Sequence, residues 1–344
     1  MTAVHAVLPA GIDDPAEPSG GNRYDRRICD GLAALGWTVR EHQLPGDWPQ
    51  PDRAARARLA GVLAGLADGT VVLLDGLIAS AVPDVLLPEA VRLRLVVLMH
   101  MPVEDLRERA VVLAAAAVIT TSDWTRRRLL ERYRLDPAAV HVAEPGVSAA
   151  APALGTAAGS ELLCVGAVTP VKGHDVLLGA LAAVADLPVR CLCVGSLTRE
   201  PGYVRELRRR IALSGLDNRM CLVGPRTGTD LHAAYAGADA LVLASRAESY
   251  GMVVTEALAR GLPVIAPDLG GVPEALGFGA DGNRPGLLVA PGDVPALANA
   301  LRSWLGDGGL RAGLRRAAGE RRAGLPSWSA TVARVARVLA TVAP

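Results

Sequence analysis

Short apolar runs alternate with amphipathic stretches along nearly the whole chain. VHAVLP (Val4–Pro9), VVLLDG (Val71–Gly76), LRLVVLMHM (Leu93–Met101), AVITTS (Ala117–Ser122) and VHVAEPG (Val140–Gly146) are brief and rich in leucine and β-branched residues, so each predicts a buried parallel strand. Trp37–Leu44 predicts another, after Gly36. Helical spacing of apolar residues falls over Tyr24–Leu35, Asp52–Leu66 and Trp124–Tyr133, the last capped by Ser122 or Asp123. Val147–Gly159 (VSAAAPALGTAAG) has no strong period and reads as a linker. A second set of strands is predicted at ELLCVGA (Glu161–Ala167), CLCVGS (Cys191–Ser196), MCLVGPR (Met220–Arg226), DALVLAS (Asp239–Ser245) and Pro263–Pro267. Helices are predicted from about Gly173, over Tyr203–Ser214 and Asp230–Ala238, and from Met252 to Arg260, where Gly261 and Pro263 stop the last. The tail is helical over Val294–Leu305, Gly309–Arg322 and Ser327–Ala340. Strands alternating with helices give parallel sheets with right-handed crossovers. The fold class is therefore α/β, with two doubly wound, Rossmann-like parallel-sheet domains at 1–150 and 151–325 and a helical segment at 326–344.

Composition narrows the picture. The 344 residues suit two domains of ordinary size, and an apolar fraction of 51% supplies large cores. A net charge of +1 points away from nucleic acid as a partner, and Arg126–Arg128 and Arg208–Arg210 read as solvated helix faces. Four of the five cysteines lie in apolar strand-like runs and Cys29 in a helical one, which suits reduced, buried thiols in a cytoplasmic protein. Cys191 and Cys193 share a strand face, but no second ligand pair has zinc-site spacing, so no metal site is expected. The start, MTAVHAVLPAG, lacks the features of a signal peptide. No stretch reaches the ~20 apolar residues of a membrane helix, so any membrane contact is expected to be peripheral. Of 36 basic residues only one, Lys172, is a lysine. Lysine is a compact point charge where arginine is a wide planar fork, which suits a tight phosphate pocket.

The densest chemistry lies in Ala247–Ala275, AESYGMVVTEALARGLPVIAPDLGGVPEA. A strand end, the loop Glu248-Ser249-Tyr250-Gly251 and a helix start follow one another there. Free N–H groups and the positive dipole end at such a point bind phosphate. Glu248 precedes the helix and Glu256 lies on it, roughly 6 Å along the axis. Carboxylates accept hydrogen bonds from paired sugar hydroxyls. A diphosphate on the helix end would thus have a hydroxylated ring beside each glutamate, the layout of a sugar–diphosphate–nucleoside. Ala10–Asn22 is a polar loop ending near Gly20 and Gly21, in the strand–loop–helix order that cradles phosphate, although G-x-G-x-x-G is absent. His100 and Asp75 stand at the carboxyl ends of their strands, where open α/β sheets bind ligands, with Glu104 and Asp105 just beyond. Gly270 and Gly271 follow another strand end, where a bulky residue would block a ligand's approach.

Glu248 and Glu256, with Tyr-Gly-Met between them and Pro-Val-Ile-Ala then Gly-Gly-Val-Pro-Glu after, resemble the E-x7-E signature of retaining GT-B glycosyltransferases of glycosyltransferase family 4. The resemblance implies two domains facing across a cleft, with the last helix returning to the N-terminal domain and Trp328 anchoring it. It implies that Glu248 contacts the donor sugar and Glu256 the ribose hydroxyls. The backbone of Gly251 and Met252 would lie against sugar and phosphate, with Tyr250 in the same donor loop. His100 would reach the donor sugar, Gly20 and Gly21 would face the diphosphate, and Asp75 and Glu104 would belong to the acceptor side. Lys172-Gly173 matches the end of the family's G-R-x3-6-K-G, whose two cations hold the diphosphate. The arginine of that motif is Ala167 here, so either Thr169 or Arg226, in the loop that lines the base pocket, is expected to make up the missing contact.

The implied function is transfer of a sugar from a nucleotide diphosphate sugar to an acceptor hydroxyl, with retention and without metal or other cofactor; no D-x-D occurs. Glu248, His100 and Lys172 are the expected catalytic residues. Glu248 would orient the sugar while the leaving phosphate takes the acceptor's proton. Two alternatives share the fold: a nucleotide-sugar epimerase and a non-catalytic nucleotide-sugar binding protein. An epimerase needs acid and base carboxylates flanking the sugar, and only Glu248 is well placed. The change at Ala167 is what favours a binding protein.

Overall fold

The computed structural model describes residues 3–343, and the chain divides into two compact units. The first takes the chain up to Asp13, Gly20–Gly146 and the chain from Pro326; the second takes Asp14–Ser19 and Val147–Leu325. The first unit opens with β1 (Ala3–Pro9), α1 (Gly20–Ala34), β2 (Thr38–Leu44), α2 (Arg53–Ala64), β3 (Val71–Asp75) and α3 (Gly76–Ala79). It continues with α4 (Pro83–Glu89), β4 (Arg94–Met99), α5 (Leu106–Ala114), β5 (Ala117–Thr120), α6 (Asp123–Tyr133) and β6 (Val140–Val142). The second unit runs β7 (Glu161–Val165), α7 (His174–Ala183), β8 (Arg190–Val194), α8 (Pro201–Leu213), β9 (Met220–Leu222) and α9 (Gly228–Ala236). Then come β10 (Ala240–Val242), α10 (Met252–Leu258), β11 (Val264–Pro267), α11 (Val272–Leu276), β12 (Gly286–Val289), α12 (Val294–Gly306) and α13 (Gly308–Ala323). α14 (Trp328–Val342) groups with the first unit.

Each unit holds one six-stranded parallel sheet, ordered β2-β1-β3-β4-β5-β6 in the first and β12-β11-β10-β7-β8-β9 in the second. The near-continuous apolar runs follow from burial on both faces. In the second sheet Leu162, Cys164, Val242 and Ile265 pack on one side with Leu301 and Trp304. Leu163, Leu241, Leu243 and Val264 pack on the other with Tyr235 and Leu258. α14 closes the first unit against α1. The Trp328 ring meets the Tyr24 ring edge-on at 5.8 Å, and a Cβ on Gly31 would fall 2.3 Å from Val332. Thr331 Oγ1 donates to the Glu144 carbonyl at 2.7 Å. Among the described residues no helix is long and apolar enough to cross a membrane.

Several elements depart from the sequence reading. Gly20 and Gly21 form the first turn of α1 instead of ending a loop. Two glycines read as breakers, yet tertiary packing recruits them: Gly21 lies against the His100 imidazole, where a Cβ would stand 3.4 Å from Cδ2. α4 carries Pro83 at its start and Pro88 inside it, a pattern that masks a helix. β12 is only four residues long and was not expected. The strands before the ligand-side loops leave the ladder early, so Asp239–Ser245 contributes only Ala240–Val242.

Candidate active site

In an open α/β sheet the ligand crevice opens outside the carboxyl ends of the strands, where the strand order reverses. That point lies between β7 and β10 in the second sheet. The loop after β7 carries Lys172 and the loop after β10 carries Glu248. Lys172 Nζ donates to Glu248 Oε1 at 2.6 Å, and Ser245 Oγ donates to the same oxygen at 2.8 Å. Glu248 is buried, whereas 32% of the Lys172 side chain stays accessible. The cation is held at its tip yet open along one flank.

The two loops are braced against each other. Arg246 N–H donates to the Val171 carbonyl at 2.7 Å. The Arg246 guanidinium forks onto Asp175 at 2.9 and 2.7 Å and reaches the Pro170 carbonyl at 2.7 Å. Those hydrogen bonds hold the Asp175 carboxyl down to about 2. Gly173 has φ of 65°, and a Cβ there would sit 1.9 Å from the Ala244 carbonyl oxygen. Gly270, with φ of 57°, would place a Cβ 1.7 Å from the Glu248 carbonyl oxygen. This corrects the expectation for Gly270: its lack of a side chain makes room for the Glu248 backbone, not for a ligand.

α10 begins after Gly251, whose φ is 88°, and ends at Leu258, short of Arg260. The Leu262 N–H turns back onto the Ala257 carbonyl at 3.0 Å and closes it. Glu256 is buried on this helix, and the Tyr235 hydroxyl donates to its Oε2 at 2.9 Å. The Arg260 guanidinium lies over the Tyr235 ring at 4.4 Å and donates to the Glu256 carbonyl at 2.7 Å. Met252 is half-buried at the first turn. Tyr250, expected to line the donor loop, is 4% exposed and belongs to the apolar core with Val254 and Val272. The ring fills the core because the loop has to return to α10 across it.

Of the two proposed substitutes for the missing arginine, Thr169 accepts the Lys172 N–H on its carbonyl at 3.1 Å. Thr169 starts the 3-10 turn Pro170–Lys172 and makes no capping bond with its hydroxyl. Arg226 lines a cavity of about 300 Å3 with Glu161 and Arg190, the first residues of β7 and β8. That is the amino edge of the sheet, opposite Lys172, so the expectation for Arg226 is corrected. The cation that does stand between the loops is Arg246, and its guanidinium is committed to Asp175.

In the first sheet the order reverses between β1 and β3. Asp75 ends β3 and accepts from the Leu77 N–H at 2.6 Å, capping α3. His100 follows β4, with Nε2 2.7 Å from Asp25 Oδ1 and 3.7 Å from Asp75 Oδ2. Asp25 is fully buried on α1, and its Oδ2 has no hydrogen-bond partner. The Tyr24 ring meets the imidazole edge-on at 5.3 Å. Burial alone would lower the His100 pKa, but the charge and hydrogen bond of Asp25, aided by Asp75, push it up to about 9. Burial, with the neighbouring Asp25, drives the Asp75 carboxyl upward. Glu104, also assigned to this side, is tied to Arg128 at 2.6 and 2.7 Å, and Asp105 caps α5.

Sequence reasoning missed Asp25, although a signal existed. Asp25 shares the buried stripe of α1 with Tyr24, Ile28, Cys29 and Leu32, an acid where the pattern calls for an apolar side chain. Ser245, Arg246, Asp175 and Tyr235 gave no such signal, because each acts through a partner on another loop or helix.

Among the described residues two groups bring three possible ligand atoms within 4.8 Å of one another: Asp25, Asp75 and His100, and Cys164, His174 and Cys193. The sequence reading rejected a metal at Cys191 and Cys193 and did not bring Cys164 or His174 to Cys193. Strand register sets Cys164 beside Cys193, and the start of α7 brings His174 Nε2 to 3.8 Å from Cys164 Sγ. All three are buried in the apolar core, which suits small hydrophobic thiols as well as soft-metal ligands.

Residues 159–307 match the family model described as glycosyl transferases group 1. Over that stretch the chain is similar to this family, and the chain has the GT-B fold. That stretch holds Lys172, Glu248 and Glu256 together. The chain is 35% identical to D-inositol 3-phosphate glycosyltransferase of Jonesia denitrificans over 235 residues, 62% of this chain and 54% of that protein. It is 34% identical to the protein of the same name from Salinispora tropica over 252 residues, 65% of this chain and 51% of that one. The chain thus spans about half the length of the curated relatives it matches. Sucrose-phosphate synthase from Thermosynechococcus elongatus superposes with a TM-score of 0.80 at 22% identity, covering 99% of both chains. Anabaena HepE, solved in complex with UDP-glucose, superposes at 0.76 and 19% identity, covering 99% of this chain and 100% of its own.

Proposed function

We propose that the chain transfers a glycosyl group from a nucleotide diphosphate sugar to an acceptor hydroxyl, with retention at the anomeric carbon and with no metal or other cofactor. The observation that carries this reading is the Lys172–Glu248 pair at the second sheet's reversal point, with Glu256 fixed by Tyr235 on the following helix. Lys172 meets the charge that develops on the leaving diphosphate, a role that bound metal fills in other enzymes. To do so it exchanges Glu248 for phosphate oxygens, which its accessible flank allows. Glu248, released from the lysine, accepts hydrogen bonds from donor sugar hydroxyls, and Glu256 accepts from the ribose. His100 and Asp75 serve as ligand contacts of the first unit. The complex of HepE with UDP-glucose supports a uridine diphosphate sugar as donor. The inositol phosphate glycosyltransferases support a polyol as acceptor.

A thermal-shift screen against nucleotide sugars tests the donor, because only a ligand bound to the folded chain raises its melting point. At 100 times Kd the gain is about 2.7 kcal/mol, which corresponds to roughly 5–10 °C for a unit of this size. NMR of the anomeric proton in the product then reads retention. No shift with any nucleotide diphosphate sugar refutes donor binding, and donor conversion without acceptor identifies an epimerase.

A further inference from the structure

The first unit buries a carboxylate that packing does not need. Asp25 is fully buried on α1 and uses one oxygen for His100, while the other has no partner. A buried, half-satisfied carboxylate destabilises a fold unless a cation faces it. An apolar side chain would complete the stripe of Tyr24, Ile28, Cys29 and Leu32 without that cost. We infer that Asp25 is a positioning residue: it accepts a hydrogen bond from Nε2–H of His100, keeps the ring cationic, and so commits Nδ1–H as a donor to a ligand oxygen at the first sheet's reversal point. The inference deepens the glycosyl-transfer reading and rests on it for its kinetic part only.

The geometry fixes the ring from three sides. Asp25 holds Nε2 at 2.7 Å, the Tyr24 ring meets the imidazole edge-on, and a Cβ on Gly21 would stand 3.4 Å from Cδ2. Among the described residues the charged groups that face the imidazole are Asp25 from α1 and Asp75 from the end of β3, both acids. Tyr24 contributes a neutral ring whose hydroxyl donates to the Ala143 carbonyl at 2.8 Å. A buried carboxylate bound to one nitrogen sets the tautomer and orientation of a histidine and stabilises its cation. Both acids push in the same direction, in accord with the raised His100 titration. Asp75 alone does not suffice, because at 3.7 Å from Nε2 it lies beyond hydrogen-bond reach, while Asp25 makes the hydrogen bond.

Ring 13C and 15N NMR of His100 through a pH titration tests the pairing without any substrate. In the wild-type chain His100 should titrate well above an ordinary histidine. In Asp25→Asn it should fall by a pH unit or more, and in Asp75→Asn by less. The kinetic arm follows kcat/KM for UDP-glucose consumption from pH 6 to 9. Asp25→Asn should lose about threefold more activity at pH 8.5 than at pH 6 for each such one-unit fall, and Asp25→Glu should restore part of the alkaline activity. His100→Gln should show no such pH dependence, and it serves as the control if Asp25→Asn folds poorly. An ordinary His100 titration in the wild type, or a loss in Asp25→Asn that is equal at every pH, overturns the inference. A folded wild-type chain that consumes no nucleotide sugar overturns the functional reading, and the titration still decides the pairing.

Discussion

At the second sheet's reversal point one cation faces one carboxylate, and the shared oxygen also receives the Ser245 hydroxyl. At the first sheet's, two carboxylates face one imidazole, and an oxygen of Asp25 has no partner. The same topology therefore carries two kinds of electrostatics. The Lys172–Glu248 pair is balanced, so an incoming anion that takes the lysine leaves the Glu248 carboxylate to the Ser245 hydroxyl and to hydroxyl donors of the ligand. The Asp25–Asp75–His100 group holds protons instead, and its state follows pH. Position in a doubly wound sheet marks where ligands bind; the residues set there decide what exchange is possible.

Lys172→Ala puts the largest strain on this contrast. Transfer should fall by about 10²–10³-fold, as when one preorganised donor to developing charge is removed. Melting should fall as well, because the buried Glu248 carboxylate keeps only the Ser245 hydroxyl. Unchanged kcat/KM would show that the balanced pair is structural. Gly270→Ala should destabilise the chain by about 2–4 kcal/mol, since its Cβ collides with the Glu248 carbonyl and its φ disfavours a side chain. Chemical denaturation reads that loss, and a wild-type midpoint would mean the loop is freer than its contacts imply.

The first unit should answer to alkaline pH, whereas the depressed Asp175 of the second answers only to acid. His100 has a folded pKa above its ordinary 6.5, so its stabilisation is fully present below that value and is lost as pH rises through about 9. Asp75, also shifted upward, acts in the same sense, because the fold prefers its protonated form. Melting temperature should therefore drop across pH 7–10, and Asp25→Asn should flatten the slope. An equal slope in both proteins would separate the group from stability. Tyr235→Phe should cost about 1 kcal/mol and raise donor KM several-fold with kcat nearly kept, since Glu256 loses one donor. Glu104→Ala breaks an exposed pair with Arg128 and should change stability by less than about 1 kcal/mol. A marked loss of transfer there would enlarge the first unit's site beyond the histidine group.

The alternation of short apolar runs was enough to read both sheets, because burial on two faces leaves a local imprint. Lys172, Glu248 and Glu256 were legible for a different reason: their chemistry is carried by spacing within loops and one helix. What escaped depends on register between distant segments. Arg246 gains its role only because the loop after β10 lies against the loop after β7, and Asp25 only because α1 crosses the end of β4. Arg226 misled because a position just beyond a strand was taken as a side-chain direction, whereas its side chain lines the sheet's amino edge. Tyr250 misled because membership of a motif says nothing about which way a ring turns.

The contact of α14 with α1 sets an order of events during synthesis. The Trp328 ring on Tyr24 and Val332 on Gly31 complete a core whose other walls leave the ribosome some two hundred residues earlier. The N-terminal sheet must wait with one flank bare while everything up to Leu325 is translated, so a message broken just past that codon would yield a finished second unit attached to a sticky, half-dressed first one.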